Sequence, residues 1–237
     1  MSEHAPAITA AILAGGFGTR LRSVLPDRQK IVAEVAGHPF VEYLLNQLRA
    51  AQISRAVLCT GHLASQVKEV LGENASGLRL EYSEEPEPLG TAGALRHAAS
   101  LLSDGEVLVM NGDSFCDTDL SALIAWHRRG ARRASMVLAE VEDTSRYGRV
   151  VTNDDMVTSF EEKGKSGPGR INAGIYLISG SLLRDIPEGV TCSLERDIFP
   201  KWVASGMLAG FPAQIRRFID IGTPESLGEA QRMFDKK

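Results

Sequence analysis

The feature that most limits how this chain can fold is a short, almost wholly apolar run over residues 7–13. It stops abruptly in Leu13-Ala14-Gly15-Gly16-Phe17-Gly18-Thr19-Arg20. A run without polar alternation predicts a strand buried on both faces, as in parallel sheets covered by helices. Ligands of open α/β sheets bind at the carboxyl ends of strands. Three glycines among positions 15–18 let backbone N–H groups approach an anion closely there, with Arg20 and Arg22 as neighbouring cations.

Downstream periodicity predicts the same class. Val41, Leu44, Leu45 and Leu48 behind Pro39 form the apolar stripe of a helix. Strands over 56–59, 78–82 and 107–110 alternate with helices over 63–71 and 91–102. Such alternation implies right-handed crossovers and an α/β fold with a doubly wound, mostly parallel, Rossmann-like sheet. The second half reads differently. Strands over 134–141, 149–152, 157–161 and 171–178 with few helices between them predict antiparallel additions. Thr223 and Pro224 open a last helix reaching about residue 234, and Lys163 to Gly169 reads as a flexible covering loop. Residues 1–237 form a single domain on this reading.

Composition excludes several functions. Lys and Arg total 26 against 30 Asp and Glu, a formal charge of −4, which argues against a dedicated nucleic-acid binder. No apolar run approaches the roughly 18 residues that cross a bilayer. The first residues carry Glu3 and no Lys or Arg, so no secretory leader is expected. Cys59, Cys116 and Cys192 are too scattered for a disulfide framework. The expectation is a cytoplasmic protein with no membrane or nucleic-acid partner; a homo-oligomer stays open.

Two phosphate motifs are absent. There is no G-x-x-x-x-G-K-[ST], and Leu21 stands where a dinucleotide fingerprint needs its third glycine.

Gly15-Gly16-Phe17-Gly18-Thr19-Arg20-Leu21 followed by Lys30 resembles the signature of the sugar-1-phosphate nucleotidylyltransferases. Five further blocks match in the family's order: Leu89-Gly90-Thr91-Ala92-Gly93-Ala94, Asn111-Gly112-Asp113-Ser114, Glu162-Lys163, Asn172-Ala173-Gly174-Ile175-Tyr176 and Asp220-Ile221-Gly222-Thr223-Pro224. Lys30 is followed by Ile31, where the family has Pro. Within the family, the wording around Asn111, Asn172 and Ser193-Leu194-Glu195-Arg196-Asp197 most resembles the heptose 1-phosphate guanylyltransferases.

The resemblance implies a GT-A-like fold and an enzyme that joins a nucleoside triphosphate, here GTP, to a sugar 1-phosphate, here heptose 1-phosphate. The part over about 1–130 would bind nucleotide and the part over about 131–237 sugar phosphate. Arg20, Lys30, Asp113, Lys163 and Asp220 would be catalytic, with Mg²⁺ on Asp113 and Asp220. Substrate would meet Leu13, Ala14, Gly15, Gly16, Gly18, Thr19, Glu85, Leu89, Gly90, Thr91, Asn111, Gly112, Gly148, Glu162 and Asn172. The acidic run Glu84-Glu85-Pro86-Glu87 adds a carboxylate, Glu85 or Glu87, for the donor edge of guanine.

The chemistry suits these residue types. A sugar phosphate is mostly dianionic at neutral pH, its second pKa being about 6, and needs no general base. His4, His38, His62, His97 and His127 all lie outside the blocks and read as ordinary histidines. What in-line displacement at phosphorus needs is cancellation of charge. Within the family, mannose-1-phosphate guanylyl- and glucose-1-phosphate thymidylyl- or uridylyltransferases stay open, and two rivals remain outside it. Asp117-Thr118-Asp119 matches the D-x-D of metal-dependent glycosyltransferases, although Asp119 also fits as N-cap of a helix over 120–129. A catalytically silent nucleotide-sugar sensor would keep the binding loops without needing the metal pair.

Overall fold

The apolar run becomes the strand Thr9–Ala14, in the interior of a ten-stranded sheet. The structure is a computed structural model and describes residues 8–102 and 104–235; residue 7, where the expected strand began, and Glu3 lie outside them. Thr9–Ala14 runs parallel to Arg55–Thr60 on one side and Glu106–Asn111 on the other, and Arg55–Thr60 runs parallel to Leu78–Glu84. This is the doubly wound half. Alternate residues of the central strand face opposite layers. Ala10, Ile12 and Ala14 join one core, and Ala11 joins the other, with Leu95, Phe199 and Trp202.

Helix Phe40–Ala50 covers the first layer through Phe40, Val41, Leu44, Leu45 and Leu48, all fully buried. The expected helix over 91–102 is instead the helix Gly90–His97 continued by a 3₁₀ turn, Ala98–Ser100.

The second half adds the antiparallel strand Gly169–Ser179, hydrogen-bonded to Glu106–Asn111 and to Ala134–Val141. One addition departs from expectation: Leu208–Pro212 lies parallel to Ala134–Val141. Val150–Asn153 and Met156–Phe160 form a hairpin at the sheet's end. The stretch from Lys163 to Gly169 is fastened rather than loose. Thr144 Oγ1 reaches the carbonyls of Lys165 (3.0 Å) and Gly167 (3.2 Å), and Gly164 N–H donates to Ser145 O at 2.9 Å. Asp119 caps its helix, Leu120–Arg129, by accepting from Ala122 N–H at 3.0 Å.

A short ribbon carries the consequence for function. Ser114–Cys116 pairs antiparallel with Phe218–Asp220, joining segments a hundred residues apart. Phe115 of this ribbon meets Phe234 of the last helix, Pro224–Asp235, at 4.9 Å between ring centroids, and Phe234 stacks on Tyr43 at 3.9 Å. Removing that half-buried ring should cost about 2 kcal/mol. Phe234→Ala should show it in urea unfolding at unchanged m-value, and an unchanged midpoint would contradict the proposed bracing of the ribbon.

Candidate active site

Asp113 follows the strand Glu106–Asn111, and Asp220 ends the short strand Phe218–Asp220. Ile221 N–H donates to Asp113 O at 2.9 Å, so the ribbon's hydrogen bonds bring the two residues side by side. Lys30 Nζ sits 2.6 Å from Asp113 Oδ2. Its side chain is 11% exposed against 39% for Asp113, so the charge pair is partly withdrawn from water. Burial and then the Asp113 charge hold the Asp220 carboxyl above its ordinary range, opposed by Lys30 and Arg20.

Glycines allow these close approaches. A Cβ at Gly222 would lie 2.5 Å from Asp220 Oδ1 and 3.0 Å from Arg20 Nη2. One at Gly112 would lie 2.6 Å from Leu13 O. Lys30 stands on a 3₁₀ turn, Lys30–Val32, capped by the buried Gln29. Gln29 Oε1 accepts from Ile31 N–H (2.7 Å) and its Nε2 donates to Ala14 O (2.6 Å). Gln29 thus satisfies the N–H that a proline at position 31 would lack and ties Lys30 to the glycine loop.

Two cavities open in this part of the molecule, and Asp113 lines the first. The first, about 270 Å³, is lined by Leu13, Ala14, Gly15, Gly16, Lys30, Glu85, Gly90, Thr91, Asn111 and Asp113 from the expected set. Phe17, Gln29 and Pro88 also line it, and the motif reading did not single them out. Glu85 is fixed at its mouth: Oε2 accepts from Leu89 N–H at 2.8 Å, and Oε1 packs where a Cβ on Gly15 would be, 2.5 Å away. Burial raises its carboxyl pKa. Glu87 is exposed and does not line the cavity. Leu89 and Gly112 are buried behind the wall, while Gly18 and Thr19 lie in the turn leading to Arg20.

The second cavity, about 570 Å³, takes Gly148, Glu162, Lys163 and Asn172. The two cavities adjoin where Thr91 of the first meets Glu195 of the second, Oγ1 to Oε2 at 3.0 Å. Asn172 Nδ2 donates to the buried Tyr176 hydroxyl at 2.8 Å, and its Oδ1 accepts from Gly174 N–H at 2.9 Å. Gly174 has φ +74°, and a Cβ there would lie 2.8 Å from Asn111 Nδ2. A β-bulge between Asn172 and Tyr176 thereby links the two cavity walls.

These donors fit a hard divalent cation. Two adjacent carboxylates, one largely desolvated, favour an added positive charge. Among the described residues no group of three or more His, Cys, Asp or Glu forms a complete cage. A hard divalent cation held by two carboxylates takes its other ligands from substrate oxygens and water.

The family model described as Nucleotidyl transferase matches residues 9–237. The chain belongs to the nucleotidyl transferase family. A D-glycero-α-D-manno-heptose 1-phosphate guanylyltransferase of Aneurinibacillus thermoaerophilus is 32% identical over 94% of this chain and 96% of its own. One from Campylobacter jejuni is 34% identical over 91% and 95%. A mannose-1-phosphate guanylyltransferase of Mycobacterium tuberculosis is 34% identical, and the match covers 92% of this chain and 62% of that one. The crystal structure of HddC from Yersinia pseudotuberculosis superposes with a TM-score of 0.85 at 33% identity, covering 95% of this chain and 99% of that one. The same protein is known in complex with GMP-PN at the same TM-score of 0.85. This nucleotidyl transferase is therefore an enzyme with the fold of its relatives.

Gly222→Ala pushes a methyl between Asp220 and Arg20; kcat/KM for pyrophosphate release should fall about a hundredfold with far-UV circular dichroism unchanged, and full activity would contradict the packing. Asp220 binds its proton more tightly when folded than when unfolded, so its contribution to stability declines as pH rises through the ordinary carboxylate range and stays unfavourable at neutrality. Asp220→Asn should accordingly raise Tm at pH ~7 and not at pH ~3 while turnover is lost. A lowered Tm at neutral pH would refute it.

Proposed function

We propose that this enzyme transfers a guanylyl group from GTP to D-glycero-α-D-manno-heptose 1-phosphate. It would release pyrophosphate and form GDP-heptose for surface glycan synthesis in the cytoplasm. The observation that carries the reading is the setting of Asp113 and Asp220, flanked by Lys30 and Arg20, where a glycine-looped cavity adjoins one holding Lys163. Guanylyltransferases matching nearly the whole chain support the nucleotide and the sugar. Among the described residues no helix is long and apolar enough to cross a membrane.

In this proposal residues up to about 130 hold the nucleotide and those from about 131 hold the sugar phosphate, with Asp220 returning to the boundary. The backbone from Leu13 through Gly15, Gly16, Gly18 and Thr19 cradles the triphosphate, with Arg20 and Lys30 neutralising it and the departing pyrophosphate. Leu89, Gly90 and Thr91 receive the base, and Glu85 accepts from guanine N1–H and N2–H₂. Asn111 Oδ1, buried without a protein donor among the described residues, offers an acceptor at the same wall. Gly112 lets Asp113 approach. Lys163 and Glu162, with Gly148 and Asn172, hold the sugar phosphate so that its oxygen lies in line with the α-phosphorus.

Asp113 and Asp220 would bind Mg²⁺, which supplies charge neutralisation to the phosphates. Lys30, now on Asp113, would shift toward the triphosphate. Since the attacking phosphate is already ionised, no side chain must take a proton.

Pyrophosphate release measured across ATP, GTP, CTP, UTP and dTTP with heptose, mannose and glucose 1-phosphates tests the reading. A GTP and heptose optimum is expected. A mannose optimum would move the sugar assignment to that of the mycobacterial relative, and release with no pair would refute the activity. Glu85→Gln should cut the GTP-over-ATP preference about tenfold, since one accepted hydrogen bond is lost; an unaltered preference removes Glu85 from base recognition.

A further inference from the structure

A chain of hydrogen bonds runs between the two cavities, and none of the roles above uses it. Leu194 N–H donates to Thr91 Oγ1 at 2.8 Å, and the Thr91 hydroxyl donates to Glu195 Oε2 at 3.0 Å. Ser193 Oγ donates to the same carboxylate oxygen at 3.0 Å while accepting from Arg196 N–H at 3.3 Å. Thr91 lines the first cavity, and Ser193, Glu195 and Arg196 line the second. Glu195 sits on a single π-helical turn, Leu194–Ile198, a distortion common where a side chain is aimed for function.

The backbone clamps this segment to the helix Gly90–His97. Cys192 O accepts from Ala92 N–H (2.9 Å) and Gly93 N–H (3.1 Å), and Cys192 N–H donates to Leu89 O at 2.8 Å. The fit leaves no room for side chains: a Cβ at Gly90, where φ is +74°, would lie 2.6 Å from Cys192 O, and one at Gly93 would lie 2.9 Å from Val190 O. The backbone therefore ties the segment carrying Glu195 directly to the loop carrying Thr91.

Both protein donors to Glu195 fall on Oε2; among the described residues Oε1 has none, and the residue is exposed on the wall of the second cavity. A carboxylate repels a phosphate and accepts only from donors. Arg149 and Arg196 line the cavity too, but among the described residues Glu195 pairs with neither; with Lys163 serving the phosphate, sugar hydroxyls are the substrate donors that suit Oε1.

We propose that Glu195 reads the sugar: Thr91 and Ser193 hold Oε2, and Oε1 accepts from one or more ring hydroxyls. Thr91 then makes sugar recognition depend on the seating of the base loop. The inference rests on the second cavity being the sugar-phosphate site.

Titration calorimetry tests it with heptose 1-phosphate and a set of monodeoxy heptose 1-phosphates, each lacking one ring hydroxyl. Wild-type enzyme, Glu195→Ala and Glu195→Gln would be compared. Glu195→Ala should weaken heptose 1-phosphate about tenfold with GTP affinity within about twofold, and Glu195→Gln should fall between it and wild type. One deoxy analogue should bind wild type about tenfold more weakly than the parent sugar does, yet bind Glu195→Ala no worse than the parent does, because the partner is already gone. If every analogue loses equally in both proteins, or GTP and sugar weaken alike, Glu195 is only a brace and the proposal fails. If wild type binds no sugar 1-phosphate, the reading of the cavity fails and the role of Glu195 with it.

Discussion

The site depends on one electrostatic constraint: two carboxylates, Asp113 and Asp220, held together beyond the carboxyl end of the interior strand Glu106–Asn111, with Asp220 withdrawn from water. Like charges at close range in low dielectric raise each other's cost of ionisation, and only positive charge offsets it. The protein supplies part of that charge through Lys30 on Asp113 and through Arg20 across Gly222. The rest is left for what binds there. Crowded carboxylates whose charge a cation and its phosphates would offset suit phosphoryl transfer, because binding energy is then released where charge develops.

Maintaining that arrangement is a matter of backbone approach. The Ser114–Cys116 and Phe218–Asp220 ribbon fixes the spacing, and Tyr43, Phe115 and Phe234 pack behind it. Gly112 and Gly222 admit close neighbours that any larger residue would displace. Gln29 performs the corresponding task for the cations, bonding the strand end at Ala14 and the turn that presents Lys30. The bulge at Gly174 does it for the second cavity, setting Asn111 against Asn172 and Tyr176.

What was legible in the sequence was whatever is local. The buried strand Thr9–Ala14, the stripe of Phe40–Ala50 and the glycine loop follow from neighbours within a few residues. The family blocks named Asp113 and Asp220, whose adjacency the ribbon then accounts for. Less legible were features created by distant pairing. Leu208–Pro212 joins its neighbour in parallel because the chain returns through helix Phe199–Ala204 before entering the sheet. The loop from Lys163 to Gly169 reads as flexible from its glycines, yet Thr144, remote in sequence, fastens it. Gln29 carries no motif signature; its importance lies in bonds to Ala14, Ile31 and Gln66. Glu195 belongs to a recognisable block, but its tie to Thr91 spans a hundred residues and is visible only in the folded chain.

On the reading proposed above, Asp113 and Asp220 share one divalent cation in the presence of nucleotide. Electron paramagnetic resonance titration of Mn²⁺ against enzyme saturated with a non-hydrolysable GTP analogue measures it directly. The account predicts one bound Mn²⁺ in the wild-type ternary complex, weakened at least about tenfold by Asp113→Asn and by Asp220→Asn alike, with little further loss in the double variant. Mn²⁺ bound equally well by wild type and either single variant would contradict it.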